Sequence, residues 1–224
     1  MLSGGATLSG LHLRSHPFMK RIFFSTQTQH KMATPEPKNK RTEIREAAAR
    51  LFRDKGYAAT SMRDLARAVD LKAASLYNHF ESKEDILRQI CFDNAHRFLE
   101  GLQEVERGTG SATEKLRALI SLHIQMATED VTSITAFNGE WRHLNEPYLS
   151  EFKTIRRDYE RRFQAIIEDG VRRGELCAID PHIATYTIFS SMRWLYDWYK
   201  SGRRISTDDL QRDISSLLMK GLSV

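Results

Sequence analysis

Four helix-start signals, spread along the chain, constrain the fold of this sequence more than any other feature. Ser61 with Asp64, Ser82 with Asp85 and Ser111 with Glu114 each place a hydroxyl and a carboxylate three residues apart. At that spacing the two groups can satisfy backbone N–H groups exposed at a helix start. Asp180 followed by Pro181 is an N-cap with a proline at the first helical position, where its missing N–H is no loss. Between these points apolar residues recur at helical spacing and alternating β-branched runs are scarce, which predicts an all-α fold. The spacing predicts helices over 40–55, 62–68, 72–79, 83–106, 112–128, 131–142, 148–173, 181–199 and 207–221. Gly56, Gly108 with Gly110, and Gly202 mark breaks between them.

A chain of 224 residues can bury one substantial core or two small ones. No run approaches the roughly 18 to 20 apolar residues of a membrane span, so no membrane partner is expected. Cys91 and Cys177 stand in no metal-ligand spacing, which fits two reduced thiols in the cytoplasm better than a disulfide framework or a zinc site. The first 31 residues contain no Asp or Glu and show no sustained periodicity. Residues 1–38 are therefore expected to be a disordered arm or an upstream extension, with "MATPEPKNKR" from Met32 as its polar end. A transit peptide is the other reading of the acid-poor leader, and it lacks the long amphipathic helix that such a peptide carries.

The net charge of +5 is unevenly placed. Residues 40–88 carry eleven Lys/Arg against eight acids, whereas residues 89–224 carry eighteen against twenty. A basic N-terminal part and a slightly acidic remainder suit a chain whose one end meets a polyanion. Within the basic part, helix 62–68 offers Met62, Leu65, Ala66 and Val69 to a core and turns through Asp70 and Leu71 into helix 72–79. Two short helices after a longer support form a helix-turn-helix in outline. Lys72, Ala73, Ala74 and Ser75 are small or flexible enough to let the second helix approach base edges in a major groove. Tyr77 and His79 can reach phosphates beside it, while Leu76 and Phe80 alternate with them and face inward. Backbone N–H groups at Thr60 and Ser61, and at Ser82 and Lys83, with the charges of Arg63 and Lys83, add candidate phosphate contacts. On periodicity and caps alone, three small packed helices of any all-α protein account for this stretch equally well.

The stretch "REAAARLFRDKGYAATSMRDLARAVDLKAASLYNHFESKEDIL" resembles the DNA-binding domain of the tetracycline-repressor (TetR) family, with "LF…GY…T", "RDLA", "LYNHF" and "SKEDIL" in register over residues 41–90. The resemblance implies an N-terminal three-helix reader, residues 39–86, followed by a ligand-binding and dimerisation domain, residues 87–224. It implies that Tyr77, His79 and Lys83 hold phosphates of double-stranded DNA, and that the chain represses transcription as a homodimer on a palindromic operator. Where the family commonly has a glycine in the turn this chain has Asp70, a residue that tolerates the left-handed conformation. Farther on, "EWRHLNEPYLSEF", "RRDYERRFQAIIEDGVRRGEL" and "MRWLYDWYKSGRRIST" resemble the branch of regulators of fatty-acyl and steroid degradation, which implies a hydrophobic effector such as an acyl-coenzyme A.

Phe152, Ile155, Tyr159, Phe163 and Ile166 form one apolar face of helix 148–173. With Phe92, Leu99, Leu122, Met126, Phe137, Trp141, Phe189 and Met192 they are candidates for the lining of an elongated cavity, although each taken singly is as well explained as core. Arg142, Arg156, Arg157, Arg161 and Arg162 are candidate donors to effector phosphates; a solvated, acid-paired face accounts for them too. Helices 181–199 and 207–221 carry enough apolar surface to pair with their copies in a second chain as a four-helix interface. Catalysis is not expected: Glu140 and His143 lack a partner at metal-ligand spacing, and no nucleophile motif or phosphate-cradling glycine loop appears. No cofactor is expected either. A sequence-indifferent architectural DNA binder is the remaining alternative, and it predicts steep salt dependence without a preferred site.

Overall fold

The computed structural model describes residues 39–199 and 205–222, which belong to one compact unit. The expected N-terminal extension over 1–38 and the break at Gly202 lie outside the described residues. Among those residues the elements are nine α-helices and one 3-10 turn. They are α1 (Lys40–Lys55), α2 (Met62–Ala68), α3 (Ala73–Leu76), α4 (Lys83–Arg107), α5 (Ala112–Glu129), α6 (Val131–Glu140), the turn Trp141–His143, α7 (Tyr148–Arg172), α8 (Pro181–Trp198) and α9 (Thr207–Lys220).

The start signals act as their chemistry requires, with one exception. Ser61–Asp64 and Ser111–Glu114 close both arms of the capping box, and Asp180 accepts from the N–H groups of His182 and Ile183. Ser82 accepts from Asp85 N–H, but the Asp85 carboxylate turns away to the Arg88 guanidinium at 2.5 Å, so this box is half made. Asp130 and Ser206 cap α6 and α9 in the same way. Gly56 ends α1 at φ +84°, a conformation open to glycine and strained for other residues.

Two predicted helices end early. The segment predicted over 72–79 is α-helical only over Ala73–Leu76, after which Asn78 and His79 bond three residues back, to Ser75 and Leu76, and tighten the chain into turns. The segment predicted over 131–142 stops at Glu140, where Leu144 N–H closes a 3-10 turn on Trp141 C=O at 3.1 Å.

The reader and the rest of the chain share a core. Ile44, Phe52, Leu65, Leu76, Phe80 and Ile86 are buried in one cluster with Ala136, Leu144 and Phe152. The expected boundary between 86 and 87 falls inside α4, which runs unbroken for 25 residues, about 37 Å at 1.5 Å per residue. Helix α1 packs on α6 as well as on α2 and α4; α8 packs on α7, α5 and α6, and α9 on α5. Both α8 and α9 therefore bury one face in their own chain.

Candidate nucleic-acid interface and cavity

In the turn between α2 and α3, Asp70 adopts φ +54°, the left-handed conformation that a turn glycine would take. Leu71 N–H returns to Ala66 C=O at 2.9 Å, and Val69, Leu76 and Phe80 are buried, so α3 is fixed on its support. Lys72, Ala74 and Tyr77 are then exposed, as is Arg63 on α2. Ala73, Ser75 and His79 are half-buried, with Ala73 leaning on the core cluster. Arg41 clamps the far end: its guanidinium lies 4.2 Å over the Phe80 ring and donates to His79 C=O. Asn78, exposed between Tyr77 and His79, was not among the expected contacts and shares their surface.

Two expected phosphate contacts are corrected. Thr60 is only 1% exposed; its hydroxyl donates to Gly56 C=O at 2.9 Å and its N–H to Tyr57 C=O, so it braces the α1–α2 turn. Ser61 remains exposed, but its N–H and hydroxyl both serve Asp64, whose carboxylate is held below its usual pKa by those bonds. Lys83 donates to Tyr57 C=O and Thr60 C=O, each at 2.7 Å, and lies 4.2 Å over the Tyr57 ring. An ammonium has three hydrogens, so one is left for a further acceptor.

A cavity of about 270 Å³ opens between α4, α5, α6, α7 and α8. Eight expected residues line it: Phe137, Trp141, Arg142, Ile155, Arg156, Tyr159, Phe189 and Met192. Seven of the apolar candidates do not, Phe152 and Ile166 among them. Phe163 is fully buried behind the wall, packed on Phe189 at 4.8 Å, and Phe92 packs on Phe152 at 5.8 Å. Leu122 fills the crossing of α4 and α5 against Gly101, and Leu99 and Met126 also lie off the lining. The residues that were missed include Phe98, His123, Glu160, Tyr186, Arg193 and Tyr196. Tyr186, Arg193 and Tyr196 sit three, four and seven positions from Phe189, the spacing of one helix face, so that signal was present.

The buried end of the cavity is aromatic with one polar pair. His123 Nε2 and Tyr159 Oη are 2.8 Å apart, and Phe98 and Phe189 pack on the imidazole at 4.7 and 5.7 Å. Burial lowers the His123 pKa to about 4 and raises that of Tyr159, so both are neutral near pH 7. The outer end is cationic: Arg142, Arg156 and Arg193 face one lining carboxylate, Glu160, which is 3.6 Å from Arg156. Arg142 and Arg156 both lie over the Trp141 ring, at 4.5 and 4.9 Å, and burial pulls the Arg156 pKa below its usual value. Trp141 Nε1 is buried without a hydrogen-bond partner. Of the other candidate arginines, Arg161 pairs with Asp158 and Arg162 with Glu106 and Asp158, while Arg157 is exposed and lies off the lining. Among the described residues no group of His, Cys, Asp and Glu is arranged to hold a metal, and no helix is long and apolar enough to cross a membrane.

Comparison with known proteins gives two family matches: residues 44–90 match bacterial regulatory proteins of the tetR family, and residues 109–222 match the tetracyclin repressor-like C-terminal domain. The chain is 27% identical over 190 residues to the HTH-type transcriptional repressor KstR2 of Rhodococcus jostii, covering 82% of this chain and 91% of that protein. The structure of the ketosteroid transcriptional regulator KstR2 of Mycobacterium tuberculosis superposes with a TM-score of 0.79 at 18% identity, covering 86% of this chain and all of that one. AibR in complex with isovaleryl coenzyme A and operator DNA superposes with a TM-score of 0.71 at 24% identity, covering 80% of this chain and 97% of that one.

Proposed function

Because the chain belongs to the tetracycline-repressor family of bacterial transcriptional regulators, we propose that it is a repressor released from its operator by an acyl-coenzyme A or a closely similar anionic, hydrophobic molecule. The observation that carries the effector class is the polarity of the cavity, aromatic at its buried end and ringed by Arg142, Arg156 and Arg193 at its outer end. An acyl chain suits the first, and phosphate or thioester oxygens suit forked guanidinium donors at the second. AibR, whose structure holds isovaleryl coenzyme A and operator DNA, supports the reading by its similar fold.

On the DNA side, Lys72, Ala74 and Tyr77 stand outward on the reader, with Arg63 and the remaining hydrogen of Lys83 at its flank. Base edges are the partners of Lys72 and Ala74, and phosphates those of Tyr77, Arg63 and Lys83. The reader over 39–86 acts twice in a homodimer, whose pairing face is the exposed side of α8 and α9. Helix α4 begins at the reader with Lys83 and reaches the cavity with Ala95 and Phe98. An effector that favours one position of α4 changes the separation of the two readers and disfavours the DNA-bound geometry.

Selection of bound sites from random DNA, repeated with acyl-coenzyme A present, tests both halves. A palindrome released by the thioester is the expected result. A palindrome that no thioester releases removes the effector class, and enrichment of no site replaces specific repression with sequence-indifferent binding.

A further inference from the structure

Five consecutive residues touch the cavity at one end and the reader at the other. Trp141 and Arg142 line the cavity. The His143 ring stacks on Tyr57 with centroids 5.0 Å apart and planes 23° from parallel. Leu144 is buried in the core cluster that also holds Ile44 and Phe52. Asn145 N–H donates to the Glu84 carboxylate at 2.8 Å, and its side-chain amide bonds the other oxygen of that carboxylate. We propose that Trp141–Asn145 is a coupling piece through which an occupied cavity alters the reader, and that His143 is its positioning residue. The proposal rests on the cavity being the effector site.

What the segment touches gives it leverage. Tyr57 C=O is one of the two carbonyls held by Lys83, and its ring lies beneath the same ammonium. The other carbonyl belongs to Thr60, the residue before the N-cap of α2. Shifting the Tyr57 ring therefore displaces the clamp joining the start of α4 to the start of α2. Glu84 follows Lys83 directly, so Asn145 acts on the same point from the other side.

The segment is also suited to move. A 3-10 hydrogen bond, Leu144 N–H to Trp141 C=O, lies within it between the end of α6 and the start of α7, and such turns convert to neighbouring geometries at low cost. Two like-charged guanidiniums flank Trp141, and its Nε1 has no acceptor. An anionic head group would draw in the guanidiniums and supply that acceptor, which repositions the first two residues of the segment and carries His143 and Asn145 with them.

The rival route is α4 moving as a rigid rod, and operator affinity measured with and without effector separates the two. Fluorescence anisotropy on labelled operator with the full chain, over isovaleryl-, octanoyl- and hexadecanoyl-coenzyme A, identifies the thioester that weakens wild-type binding most. His143→Ala, at a side chain 45% exposed, is expected to leave operator affinity without effector within about threefold of wild type. Effector affinity of the free protein is expected to stay within the same range. The factor by which effector weakens operator binding should fall about threefold to tenfold. His143→Phe, which keeps a ring to stack on Tyr57, should restore it, and Asn145→Ala should lower it independently. An undiminished factor in both His143→Ala and Asn145→Ala overturns the proposal and leaves α4 alone as the route. If no thioester weakens wild-type binding, the effector reading fails first and this inference with it.

Discussion

At the scale of single residues, two side chains hold states that a sequence shows only in part. Asp70 stands at φ +54°, a region open to glycine and tolerated by Asp and Asn. Asp70→Gly relieves the backbone but gives the unfolded chain more freedom, so the two effects should offset to within about 0.5 kcal/mol. Asp70→Val puts a β-branched residue there and is expected to lower stability by about 1–2 kcal/mol in urea titration. His123 is the second case: burial lowers its pKa to about 4, from about 6.5 for an unfolded chain. Between those values the unfolded state binds a proton that the native state refuses. Stability is therefore full above about pH 6.5 and declines as pH falls toward about 4, by about 2 kcal/mol from pH 7.5 to pH 5. Replacing the imidazole with an uncharged amide, His123→Gln, should flatten that decline in urea titrations at the two pH values. An unchanged slope would place the acid sensitivity elsewhere.

At the scale of elements, helices were legible wherever a cap and a periodic face coincided, and less so where tertiary contacts decided the end. Ser61, Ser111 and Asp180 each begin a helix as their side-chain chemistry requires, whereas Asp85 left its box for Arg88. The helices predicted to reach His79 and Arg142 stop short because Phe80 and Leu144, just beyond them, are drawn into the core. Periodicity marks those residues as apolar without showing what covers them. The cavity was legible on α8, from the spacing around Phe189, but not on α5. There Leu122 and His123 are neighbours in sequence that face different partners, Gly101 for the first and Tyr159 for the second. A glycine at a helix crossing is a mark of close approach, and Gly170 on α7 is the less yielding case. A Cβ there would lie 2.9 Å from Ala112 Cβ and 2.7 Å from Leu176 Cδ1. Because Ala112 has no rotamer with which to yield, Gly170→Ala is expected to cost about 1–3 kcal/mol, read as a lowered thermal midpoint. Gly101→Ala meets only the flexible end of Leu122 and should cost less, and the reverse order would show that the α5–α7 contact is the softer one.

At the scale of the whole molecule, the proposed pairing surface is the one that α8 and α9 leave uncovered. Ile188, Met192 and Leu195 turn inward and are buried in their own chain. Ile183, Trp194, Trp198 and Leu217 are 50–75% exposed, an apolar surface that a lone soluble chain rarely presents. On that proposal a second copy seated on this face would let each of two readers take one half-site, with half-sites about 34–36 Å apart or somewhat more. On the proposed reading it would also put dimerisation and effector binding on one element, since Tyr186 and Arg193 of α8 line the cavity. Binding by two linked readers exceeds binding by one through effective concentration, commonly by about 10² to 10⁴. Trp194→Asp combined with Leu217→Asp alters side chains that are 66% and 75% exposed, so the chain should fold while the two paired surfaces acquire like, mutually repelling charges. Sedimentation equilibrium should then show a monomer, and affinity for a full palindrome should fall to that for a single half-site. Circular dichroism and effector binding should remain at wild-type levels. A double variant that still sediments as a dimer and still prefers the palindrome would mean that the chains pair through another surface, and that the exposed tryptophan face has a different occupant.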